Sequence, residues 1–125
     1  MKKLFFSFSI IILSFSCENK SDVLYQQIWE AHDEVMPKMS DLRLLTDQIE
    51  EIPDSIKINN DSLMIIHADL KSADAWMMKW MREFDSERKN DEVYLTSELE
   101  KVNEMKTYFE NKLEDGKVFM ANRNK

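Results

Sequence analysis

Turn-forming residues are nearly missing from this chain, which holds one Gly and two Pro in 125 residues. A fold of many short strands needs turn chemistry every few residues, so a strand-rich architecture is excluded and helix formers dominate what is left. Cysteine occurs once, at Cys17. No intrachain disulfide and no multi-cysteine metal site can therefore form. Positive charge is also short: 17 Lys and Arg stand against 24 Asp and Glu, for a formal charge of −7. Without a basic stripe to offset it, such a body repels phosphate backbones, and nucleic acid is excluded as a partner. With this length, the chain holds one core and no second domain.

Enzyme signatures are missing as well. There is no Gly-rich phosphate loop, no nucleophile elbow, no haem-attachment Cys-x-x-Cys-His and no His-Glu-x-x-His pair. A di-iron bundle needs Glu-x-x-His, but Trp29 precedes His32 and Met64 precedes His67 at that spacing. The carboxylates follow the solvated helix faces and offer no acid/base pair. The expectation is a protein without catalytic activity.

The chain opens on an address. Met1-Lys2-Lys3 is a positive start, and Leu4 to Phe15 is an apolar run too short to span a bilayer. It ends at Ser14-Phe15-Ser16-Cys17, where charge begins. This resembles a bacterial lipoprotein signal, in which a small residue precedes a cysteine that receives diacylglycerol and becomes the new N-terminus. The resemblance implies a signal peptide over residues 1–16, lipidation at Cys17 and membrane attachment without a transmembrane helix, since several acyl chains anchor stably. Glu18 follows the cysteine instead of the Asp that marks inner-membrane retention in enteric bacteria, which points to the outer membrane.

Residues 17–21 read as the lipidated cysteine and a tether, and 22–125 as a helical bundle. Ser21-Asp22 offers an N-cap. Leu24, Ile28, Ala31, Val35, Leu42, Leu45, Ile49 and Ile52 then recur at three- and four-residue steps, interrupted only by Lys38. Beside them run Tyr25, Trp29, His32, Met36 and Met39, which widens the apolar arc to roughly 160° and turns His32 inward. Pro37 falls on the solvent side and should bend this helix.

Pro53 stops the first helix, and 54–60 reads as a loop before a cap at Asp61 or Ser62. The second helix has Leu63, Ile66, Leu70, Ala73, Met77, Trp80 and Phe84 as its seam, with Met78 and Met81 on the flank. After a charged connection from Asp85 to Asp91, the third carries Leu95, Leu99, Val102, Met105, Phe109 and Leu113 inward, and Gly116 marks its expected end. Short connections between long amphipathic helices predict an all-α, antiparallel up-down-up three-helix bundle.

One cluster carries chemistry. A reversal at Pro53 brings His32, Met36 and Met39 to the level of Met78 and Met81. Imidazole and thioether ligands together suit Cu(I), and a His/Met pair can also ligate haem iron. Against this stands the ordinary use of methionine as a filler of irregular core gaps.

The two runs that hold this cluster, His32-Asp33-Glu34-Val35-Met36-Pro37-Lys38-Met39 and Ala73-Asp74-Ala75-Trp76-Met77-Met78-Lys79-Trp80-Met81, resemble a group of small Bacteroidota lipoproteins sometimes labelled viral A-type inclusion proteins. The resemblance covers most of the mature chain and implies lipidation and pairing of the two runs, with no activity attached. The leading expectation is a non-enzymatic, lipid-anchored helical protein of the cell envelope that contacts a protein partner, without a cofactor. The alternative is a Cu(I)- or haem-binding envelope protein.

Overall fold

The computed structural model describes residues 19–123; the expected signal segment and Cys17 lie outside the described residues. The order is α1 (Lys20–Val35), a 3-10 turn (Met36–Lys38), α2 (Met39–Glu50), the single turn α3 (Asp54–Lys57), α4 (Asp61–Glu83), a second 3-10 turn (Ser86–Arg88) and α5 (Glu92–Arg123). The described residues are all-α, with no strand. No described helix is long and apolar enough to cross a membrane.

The starts of α1, α4 and α5 are set by Asn and Asp side chains. Asn19 accepts from the Ser21 N–H at 3.3 Å, so α1 begins earlier than a Ser21-Asp22 cap would allow, and Ser21 is buried inside its first turn. Asn60, not Asp61 or Ser62, caps α4 by accepting from the Leu63 N–H at 3.0 Å. Asp91 caps α5 through the Tyr94 N–H at 2.9 Å. Each relieves one of the N–H groups that a helix start leaves without an internal partner.

Pro37 does more than bend the first helix. With no N–H to return to Asp33, it gives way to a 3-10 turn over Met36–Lys38 and divides the expected helix into α1 and α2. The segment after Pro53, expected as a loop, winds one turn as α3. There the Lys57 ammonium reaches the Glu50 carbonyl at 3.0 Å and so ties the turn to the end of α2.

Interhelix pairs define the directions. Lys106 with Glu34 and Lys38 with Glu110, each 72 positions apart, make α1 and α5 run the same way. Between α2 and α4 the sense is opposite, since Arg43 meets Asp74 at 2.8 Å and Glu50 meets His67 at 3.0 Å. This pairing lies about a turn beyond a reversal at Pro53, because α3 lengthens the chain before α4 begins. The buried seam is the expected one: Ile28, Val35, Leu42, Ile49, Leu63, Leu70, Met77, Leu95, Val102 and Phe109 are fully enclosed, while Leu24, Ile66, Phe84 and Leu99 are half-buried at its margin.

Gly116 does not end the third long helix; α5 continues to Arg123 without a left-handed residue. Its role is close approach. A Cβ at Gly116 would stand 2.6 Å from a terminal methyl of Leu45 and 3.4 Å from Leu70, so here α5 presses against α2 and α4 together. We expect Gly116→Val to destabilise the fold by about 1–3 kcal/mol, the usual cost of overpacking. A denaturant midpoint equal to that of the parent would show that the contact yields freely.

Candidate functional site

Five aromatic rings gather where α1 meets the end of α4. Trp29 stands edge-on to Tyr25, His32, Trp80 and Phe84, with centroids 6.1, 5.1, 6.4 and 5.6 Å away. Phe84 also stacks on Tyr94 of α5 at 6.0 Å. Trp29 is thus half-buried among rings from its own helix and from the end of α4. Edge-to-face pairs at such distances add about 0.5–1.5 kcal/mol each beyond area burial.

His32 lies at the inner border of this group and is 8% exposed. Its Nδ1 is 2.9 Å from Asp33 Oδ1, and its ring is 6.0 Å from that of Trp80. An ionised carboxylate only accepts, so Nδ1 carries the hydrogen and the neutral ring has its lone pair on Nε2. Nε2 is buried and has no hydrogen-bond partner.

The other expected ligands divide by helix. The Met36 N–H bonds the His32 carbonyl and the Met39 N–H bonds the Met36 carbonyl, so His32, Met36 and Met39 follow one another turn by turn. Met39 is buried, Met36 half-buried. From α4, Met78 is half-buried against the core and Met81 is 37% exposed. The methionines fully enclosed in the core are Met77 and Met105. His67, far along the fold, is a hydrogen-bonded histidine whose Nε2 meets Glu50. Among the described residues, no three His, Cys, Asp or Glu side chains converge as a ligand group.

Beside Trp80 lies a buried carboxylate. Glu98 is 6% exposed; its Oε2 accepts from the Trp80 indole N–H at 2.9 Å and its Oε1 from Lys101 at 2.6 Å. That hydrogen bond, first among the causes, holds the Lys101 ammonium above its ordinary pKa. A cleft of about 390 Å³ opens beside it, lined by Trp76, Glu83 and Tyr94 among others. The signal was present: Glu98 is three residues after Leu95 and four before Val102, which places it in the seam itself. The indole bond ties this carboxylate, and with it α5, to α4, while Lys101 on the same helix supplies its cation.

No protein-family model matches the chain, and neither a curated protein nor a solved structure does.

Removing one partner of a buried charged hydrogen bond costs about 1.5–3 kcal/mol, whereas removing both can be nearly neutral. Trp80→Phe is therefore expected to lower unfolding free energy by about that amount, and Glu98→Leu in the same chain to recover part of it. Additive losses in the double variant, measured by urea unfolding, would mean that the Trp80–Glu98 bond contributes nothing of its own.

Proposed function

We propose that this chain is a non-enzymatic lipoprotein of the cell envelope, anchored through Cys17 in the outer membrane and built as an up-down-up three-helix bundle that works by contacting an envelope protein. It would belong with the small Bacteroidota lipoproteins that its two methionine-rich runs resemble. Support for the address comes from the apolar run that stops at the chain's single cysteine. Support for the architecture comes from the common direction of α1 and α5 and the opposite direction of α4.

The observation that carries the contact reading is the chemistry of the end farthest from Lys20. Through α1, the 3-10 turn and α2, the chain travels roughly 45 Å at 1.5 Å per residue before it reverses. At that reversal Ile58 is 70% exposed, Met64 53% and Ile56 45%. Ile58 and Met64 border a cleft of about 400 Å³ floored by Ile49, Leu63 and Ala68. Aliphatic side chains gathered on a polar surface are what a protein contact uses. An anchor at one end and an apolar tip at the other suit a protein that presents its tip to a neighbour.

Two measurements test this. Cys17→Ser is expected to abolish palmitate labelling and to shift the protein out of the membrane fraction; unchanged labelling and fractionation would refute the address. A photo-crosslinking side chain at position 58 is expected to capture a discrete envelope protein in cells, while the same group at exposed Gln27 does not. Equal capture at both positions, or none at 58, would refute the contact at the tip.

A further inference from the structure

His32 is held as a metal-binding histidine is held. Metal-ligating imidazoles give their second ring N–H to a carboxylate or carbonyl, which fixes the tautomer and aims the free lone pair. Asp33 does this at 2.9 Å, on the side of the ring that faces solvent, with its own side chain 75% exposed. The nitrogen left over, Nε2, is buried and unpartnered. Such an orphan calls for a physical explanation. An internal water needs two to four polar partners. Here the ring neighbours are Trp29 and Trp80, and the one donor of Trp80 is already committed to Glu98.

Two methionines follow His32 along the chain. The His32–Met36 backbone bond puts Met36 on the same face as His32 at the i, i+4 spacing, where Cβ atoms are about 5–6 Å apart. The next step is shaped by Pro37. In an unbroken α-helix Met39 would be rotated away from Met36, but across a 3-10 turn residues three apart eclipse. The Met39 N–H to Met36 carbonyl bond closes that turn. Met36 and Met39 thus follow His32 on the same side of the chain, at the i+4 and i+7 positions.

We propose that His32 Nε2 and the Met36 and Met39 thioethers form a site for one Cu(I) ion. The donors are one imidazole and two neutral, soft sulfurs, the set that selects a soft monovalent ion over zinc, calcium or magnesium. No group of three His, Cys, Asp or Glu among the described residues offers a harder ion a ligand set. The single charge brought into the interior is offset through the imidazole by the Asp33 carboxylate. A haem would need a slot beside the imidazole, where the Trp29 and Trp80 rings already stand. The site draws its donors from α1, the 3-10 turn and α2, and needs neither Met78 nor Met81.

The test uses the full chain in detergent with Cys17→Ser, which removes the competing thiol, titrated with Cu(I) under anaerobic conditions against bicinchoninate. One equivalent of Cu(I) should be withdrawn from the chelator, with sulfur and nitrogen neighbours in the copper X-ray absorption spectrum. Met36→Leu, close to volume-conserving at a half-buried position, should weaken binding at least tenfold while leaving the thermal unfolding of the copper-free protein nearly unchanged. His32→Ala should do the same to binding. Asp33→Ala, an exposed change, should weaken binding about 10- to 100-fold and keep the stoichiometry at one. If His32→Ala fails to fold, Met36→Leu and Asp33→Ala decide. No uptake by the parent, uptake unchanged in Met36→Leu, or a copper shell without sulfur would overturn the proposal.

Discussion

A missing hydrogen atom governs this fold. Because Pro37 has no N–H, the carbonyl of Asp33 cannot receive its usual partner, and a run of apolar spacing long enough for one helix is broken into two. The break occurs on the solvent side, so the seam continues across it from Val35 to Met39 and Leu42 without losing enclosure. The 3-10 turn therefore changes the rotation of side chains around the axis while the core remains continuous. Lys38, which would otherwise interrupt the apolar stripe, leaves it to meet Glu110 of α5.

On either side of that break the protein is held together differently. Toward Lys20, the packing is aromatic, with Tyr25, Trp80 and Phe84 edge to face with Trp29, Tyr94 stacked on Phe84, and Glu98 buried beside them as the acceptor of an indole. Toward the reversal at α3 it is aliphatic and close, with Leu45 and Leu70 against the bare backbone of Gly116. Charged pairs such as Lys106 with Glu34 and Arg43 with Asp74 run along the outside. They set which helix faces which and, being largely exposed, add little to stability.

What periodicity could reach was the seam, since burial at three- and four-residue steps is a property of the helix itself. The residues it misread are those whose role depends on a second helix. Gly116 looks like a helix end because glycine usually is one; only the nearness of Leu45 shows that it is there for lack of a side chain. Glu98 looks like surface because carboxylates usually are; only the Trp80 indole explains its place inside. The candidate copper ligands were legible in part. The His32-x-x-x-Met36 spacing and Met39 at i+7 are visible in the letters, but the orphaned Nε2 depends on which rings surround it. The register of Arg43 with Asp74 and Glu50 with His67 shifts the level by about three residues, to Met36 opposite Met81 and Met39 opposite Met78.

The start of α1 bears on orientation. Asn19 already caps the helix, Ser21 is buried with its hydroxyl against the Asn90 carbonyl, and Lys20 pairs with Glu92. Only Glu18 lies between that cap and Cys17. At no more than about 3.6 Å per extended residue, the leash of a chain acylated at Cys17 is under roughly 10 Å. So short a leash would keep the start of α1 within that distance of the acyl chains. In an acylated chain the aromatic end would then be the end held near the bilayer, and Ile58, at the far end of the helices, would be the part free to meet a neighbour.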